Sequence, residues 1–257
     1  MTILSAMGLS YRADERALVD NASFQLGEGG FTMLIGPNGS GKTTLLRLAL
    51  GLLRPAAGRA LLCGKDMSAL PAAARARSVA YLPQGRSLAW PQPVRDVVAL
   101  GRFAHGGAVG QLAAADRQAI EMAMQDCGLT GFENRAVDTL SGGELARVHI
   151  ARALAGQAPL LMADEPIAAL DPHYQHDVMQ LFRTLSRSGR TVLSVVHDLG
   201  LAALYADRLI WMQGGRIVAD GSPADTMTAA RLRDVFGVSA EVRQTAHGLQ
   251  VDIHGAA

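Results

Sequence analysis

Nine residues, GPNGSGKTT from Gly36 to Thr44, stand directly behind the apolar run FTMLI. A Gly-rich turn between a buried strand and a helix aims successive backbone N–H groups, and the positive end of the helix dipole, at one point that suits a phosphate. The spacing G-x-x-x-x-G-K-[ST] adds Lys42, a point charge for the terminal phosphates, and Thr43, whose hydroxyl would ligate the Mg²⁺ bridging them. Gly36, Pro37, Asn38, Gly39, Ser40, Gly41, Lys42, Thr43 and Thr44 are therefore candidate ATP-binding residues. The bland alternative is a turn that binds nothing, and the motif alone does not choose a function.

A second half of such a site lies in PLLMADEP. Four apolar residues bury a strand, Asp164 emerges at its end to hold Mg²⁺ through water, and Glu165 follows as the group that would polarise an attacking water. Otherwise the two acids are a solvated turn. The stretch LSGGE, comprising Leu140, Ser141, Gly142, Gly143 and Glu144, supports two readings. Ser141 and Glu144 make a capping box for a helix over LARVHIARALA. Two glycines in the first turn lower helix propensity and serve no cap, whereas close approach of a phosphate to exposed amides needs them, so a second anion site is expected.

The elements that must position these groups follow from periodicity. Alternating apolar and polar residues over roughly the first 30 positions predict antiparallel strands leading into a buried one. KTTLLRLALGLL has helical spacing. Buried strands are expected at SVAYLP, PLLMAD and TVLSVVHD, with a helix over YQHDVMQLFRTLSRSG between the last two, giving alternating β and α units around a mostly parallel sheet. Positions 94–154 are Ala-rich and helical in pattern, with a Gly-rich loop GRFAHGGAVG, and read as a helical subdomain inserted into the sheet-based core. Beyond Gly221 come a short helix, TAARLRDVFG, and a weak strand pattern.

Composition bounds the partners. The 257 residues carry 24 Lys plus Arg against 23 Asp plus Glu, a formal net charge of +1, so no global basic field invites nucleic acid or an anionic membrane. Cys63 and Cys127 form no CxxC pair, which argues against a zinc site or disulfide framework and fits a reducing compartment. The longest apolar run, LLRLALGLL, is interrupted by Arg47 and is too short to span a bilayer, so work at a membrane would be done from the aqueous side. His173 and His176 share a helical face but have no third ligand nearby, and are expected to be solvated.

GPNGSGKTT, LSGGE, LLMADEP and LDP, in this order and at these separations, resemble the nucleotide-binding subunits of ATP-binding cassette (ABC) transporters, over nearly the whole chain from Tyr11 to about Gly237. The resemblance implies an α/β fold: a P-loop NTPase (RecA-like) core with a mostly parallel sheet, an antiparallel β subdomain and an inserted helical subdomain. It implies one cassette over 1–237, with core 1–93 and 155–237, helical subdomain about 94–154, and a tail at 238–257. ATP and Mg²⁺ are the implied cofactors, with Thr43, Gln84 and Asp164 around the metal. Tyr11 would stack on adenine, Gln84 in YLPQ would link core to helical lobe, and His197 in SVVHD would contact the γ-phosphate and orient Glu165, the two forming the catalytic pair. The signature residues 140–144 would contact ATP held by the opposite subunit of a head-to-tail homodimer, and Asp171 would communicate across it.

This chain departs from the family pattern at Ala168, usually Ser, and at Leu145 and Ala146, usually a polar pair. The first loosens the expected contacts between ATP sites; the second should matter little. The phrases VAYLPQ, VVALGR, LSVVHDLGLAALYADRLIWMQGGRIVADGSP and LRDVFGV look most like the iron-siderophore, haem and cobalamin uptake branch. That implies separate permease subunits, with 83–110 as their candidate contact, an indirect substrate-binding protein, and a place on the cytoplasmic face of the inner membrane. A soluble assembly ATPase of the iron–sulfur type, or an importer for another substrate, remains the alternative.

Overall fold

The computed structural model describes residues 1–84, 91–168, 170–246 and 248–257. Its contacts divide the chain into two compact units, 1–70 together with 183–257, and 71–182.

The first unit opens with β1 (Thr2–Ala13) and β2 (Arg16–Gly27), an antiparallel hairpin in which alternate residues such as Ala22, Phe24 and Leu26 are buried. That period of two produces one apolar face. β3 (Phe31–Ile35) is buried throughout, as its unbroken apolar sequence requires of a central strand. α1 (Lys42–Ala49) buries Leu45, Leu46, Leu48 and Ala49 and packs on β1 and β2. β4 (Ala57–Leu62) and β5 (Lys65–Asp66) complete an antiparallel sheet of order β2-β1-β4-β5.

In the second unit α2 (Ala72–Ser78) leads into β6 (Val79–Leu82). Next come α3 (Val94–Ala99), α4 (Ala114–Asp126) and α5 (Gly142–Ala155), which pack on one another. In α4 the buried Ala119, Ile120, Ala123 and Met124, continued by Cys127, recur at the helical period and form its inner face. Burial pushes the Cys127 thiol up and keeps it protonated. The 3-10 helix after α3 (Leu100–His105) is clasped to α4 and to the end of α5: the Arg102 guanidinium donates from Nε to Asp116 Oδ1 (2.8 Å) and from Nη1 to the Ala155 carbonyl oxygen (2.9 Å), while His105 Nε2 lies 3.0 Å from that of Gly156. Helix-terminal carbonyls that lack an intrahelical partner are thereby satisfied. β7 (Leu160–Asp164), buried throughout, runs parallel to β6, and α6 (Pro172–Arg187) follows.

The chain returns to the first unit with β8 (Thr191–Val195), α7 (Leu199–Tyr205), β9 (Arg208–Gln213) and β10 (Arg216–Gly221). There β3 lies between β8 and β9, parallel to both, and β10 closes antiparallel on β9 through the Gly214–Gly215 turn. α8 (Pro223–Thr226) and α9 (Ala229–Phe236) lead to a hairpin of β11 (Val238–Thr245) and β12 (Gly248–Ala256), so the weak strand pattern at the end of the sequence is a real antiparallel pair, packed on α9 and α7. The architecture is the expected α/β one, with mostly parallel strands beside separate antiparallel sheets.

Candidate active site

The phosphate half is built in the first unit. β3 ends at Ile35, and the chain turns through Gly36–Gly41 into α1. The turn is tight enough to require glycine at both ends. A Cβ on Gly36 would lie 2.2 Å from the Met212 carbonyl oxygen, and one on Gly41, whose φ is +100°, 2.2 Å from that of Leu18. Gly41 caps α1 without a side-chain bond, and the first turn holds no acid, so the opening amides and the helix dipole are left for an anion. Lys42 is 5% exposed and donates from Nζ to the carbonyl oxygens of Gly36 (2.8 Å) and Pro37 (2.9 Å). Its charge is thus folded back under the loop. Ser40 Oγ, buried in the same turn, has no hydrogen-bond partner among the described residues. Asn38 and Gly39 are exposed at the tip, while Thr43 and Thr44 are half-buried.

Two further residues named from the sequence belong to this unit. β3 and β8 pair in parallel with Leu34 opposite Val195, so Gly36 and His197 leave neighbouring strands at the same edge. His197 is exposed, and Asp198 behind it caps α7 by accepting from Leu201 N–H at 2.8 Å. Tyr11, half-buried on β1, is paired with Val19, the neighbour of the Leu18 whose carbonyl touches the Gly41 turn. The hairpin therefore brings Tyr11 to the flank of the phosphate loop.

The carboxylate half is built in the second unit. Asp164 is 0% exposed at the end of β7, and Glu165 stands beyond it with φ +50°, in the left-handed region. A non-glycine residue there carries roughly 1–3 kcal/mol of strain, of a kind that concentrates at functional sites. The parallel ladder ends with Leu82 opposite Ala163; two residues beyond on each chain segment stand Gln84 and Glu165, and Gln84 Nε2 donates to Glu165 Oε2 at 2.6 Å. The resemblance implies a metal contact and a link between lobes for Gln84; its bond to Glu165 is an addition that no local feature of the sequence marks.

The signature also lies in this unit. Ser141 caps α5: its Oγ accepts from Glu144 N–H (3.2 Å), and its own N–H donates to Glu144 Oε2 (2.8 Å). These contacts hold the Glu144 carboxyl below the ordinary glutamate value, with the Ser141 backbone bond the largest cause. Leu140 precedes the cap, half-buried, and Gly142 faces open space, with nothing within 4 Å of a Cβ placed on it. At Gly143 a Cβ would come within 3.2 Å of the Tyr174 ring, which also carries the Arg147 guanidinium at 5.4 Å. The capping box is formed as the spacing predicts, and Gly142 leaves the outer side of its first turn bare. Asp171 is exposed ahead of α6. His173 is exposed too, paired with Asp177 at 3.5 Å.

A glycine-rich loop with a buried lysine, between a buried strand and a helix, is the arrangement of a P-loop nucleotide-binding protein. Residues 19–168 match the ABC transporter family. A hemin import ATP-binding protein of Plesiomonas shigelloides is 39% identical over 252 residues, covering 91% of this chain and 94% of its own. A cobalamin import ATP-binding protein of Halobacterium salinarum is 38% identical over 234 residues, covering 91% of this chain and 58% of its own. Among solved structures, a dimeric ATP-binding cassette in a post-hydrolysis state bound to ADP and Pi aligns with TM-score 0.76 at 27% identity, covering 86% of this chain and 99% of that one. The chain belongs to the ABC transporter family, as an ATP-hydrolysing subunit whose reaction is coupled to transport.

Proposed function

We propose that this chain energises an importer of a metal chelate, with hemin or cobalamin favoured over an iron-siderophore, through separate permease subunits on the cytoplasmic face of the membrane. The observation that carries this reading is the 39% identity, over nine-tenths of both chains, to a hemin import ATP-binding protein. No helix among the described residues is long and apolar enough to cross a membrane, which fits a peripheral subunit that docks on a spanning one. The contact expected at 83–110 lies partly outside the described residues, which omit 85–90; within it, Leu100 and Phe103 are exposed apolar side chains.

The chemistry follows from the two halves. Gly36–Thr44 would cradle the phosphates, Tyr11 would stack on adenine, and Lys42 would offset developing charge. Thr43, Gln84 and Asp164 all present oxygen donors, the set a hard cation such as Mg²⁺ takes; with the Gln84 amide nitrogen engaged by Glu165, its carbonyl oxygen is the atom left for a metal. A cation held by these residues would supply charge neutralisation at the terminal phosphates. Glu165, fixed by Gln84, would accept the proton of the attacking water, with His197 orienting it at the γ-phosphate. Residues 140–144 would complete the site of a second copy, and Asp171 would communicate across that dimer. A substrate-binding protein would act indirectly, through the permease.

The test is affinity capture of the chain from gently solubilised membranes of its host, with mass spectrometry of what accompanies it. A polytopic membrane protein in near-equal amount is expected. Capture of soluble proteins alone would sink the importer reading and favour an assembly ATPase.

A further inference from the structure

The signature cap is held from outside as well as from within. While Glu144 Oε2 accepts from Ser141 N–H, its Oε1 accepts from Arg135 Nη1 at 3.2 Å. The Arg135 guanidinium lies 4.5 Å from the centroid of the Phe132 ring, and Nη2 reaches the Thr139 carbonyl oxygen at 3.4 Å. The Arg135 backbone is fixed in turn. Its N–H donates to Phe132 O (2.9 Å) and its carbonyl oxygen accepts from Val94 N–H (3.0 Å), while Arg95 N–H donates to Glu133 O (3.1 Å) and Val137 N–H to Gln92 O (3.0 Å). Residues 133–137 are thus laced to the start of α3.

The Arg135 side chain is 41% exposed, and an ion pair there adds little to stability. Its geometric effect is larger. A guanidinium with both ends engaged and a ring beneath it offers a donor at a fixed point, so it sets the rotation of the Glu144 carboxylate, and through it the orientation of the Ser141 N–H and the bare first turn at Gly142.

We propose that Arg135 is a positioning residue for the signature, holding the Ser141 cap and the Gly142 amide in register with the terminal phosphate bound by a second copy of this chain. This rests on the reading of residues 140–144 as the contact to the opposite nucleotide.

The experiment measures ATP-driven dimerisation by sedimentation in a Glu165→Gln background, with and without Arg135→Ala, alongside binding of a fluorescent ATP analogue to the monomer. Loss of Arg135 should raise the dimer dissociation constant about tenfold, since each dimer carries two such contacts, and leave the monomer's nucleotide affinity unchanged. Arg135→Lys, which keeps the charge, should recover part of the loss. Equal dimerisation with and without Arg135 overturns the proposal and leaves the dimer reading intact. So does a parallel fall in monomer nucleotide affinity, which marks a folding effect. A Glu165→Gln protein that stays monomeric in saturating ATP overturns the dimer reading itself, and this proposal with it. If Arg135→Ala does not fold, Arg135→Gln serves in the same comparison.

Discussion

At the scale of single residues, two positions combine strain with chemistry. Gly41 has φ +100° and touches the Leu18 carbonyl, so Gly41→Ala places a methyl group where none fits and adds left-handed strain. It should destabilise the protein by about 2 kcal/mol or more and abolish nucleotide binding, as a melting curve and an ATP titration would register. Glu165 is the opposite case. Its φ of +50° suits glycine better, so Glu165→Gly should raise stability by up to about 1 kcal/mol while lowering turnover roughly 10²- to 10⁴-fold. A variant that melts lower than the parent would show that the Gln84 bond outweighs the strain.

Among the elements, α5 carries the signature at its start and is clasped at its end. Glu144 is depressed by its bonds to Ser141 and Arg135, so its stabilising effect is fully present above the ordinary glutamate value of 4.5 and is lost as pH falls through the lower folded value. Glu144→Gln should therefore flatten the acid limb of the stability curve, which a series of melts from neutral to acid pH would reveal. At the other end, Arg102→Met removes the donor that holds Asp116 and the Ala155 carbonyl. Both partners then lie buried without it. The melting temperature should fall by several degrees, and the 3-10 helix carrying Phe103 should exchange its amide hydrogens faster.

For the whole molecule, the prediction is mutual dependence of two copies. If the signature of one chain completes the nucleotide site of the other, ATPase rate per chain rises with protein concentration. Mixing an active chain bearing Ser141→Arg with one bearing Lys42→Ala should then restore about one working site per mixed dimer. Steady-state assays across dilution and mixing ratio measure both effects, and a rate per chain independent of concentration would refute the shared site.

The sequence by itself determined the phosphate loop, the acid pair, the signature cap and the buried strands that carry them, because each is a local matter of spacing and period. It also suggested the terminal helix and a weak strand after it. The register of parallel strands was another matter, since two strands far apart in sequence carry no local mark of which residues stand opposite. Only tertiary structure set Gln84 against Glu165, His197 beside Gly36 at one strand edge, and Tyr11 opposite Val19, the neighbour of the residue whose carbonyl meets Gly41. Arg135 is the same lesson on the surface. Nothing in NRAVDT distinguishes it from a solvated arginine, and its bond to Glu144 exists because the backbone of 133–137 is pinned to the start of α3. Long-range pairing of chain segments, which local propensity cannot encode, decided how the legible motifs are held.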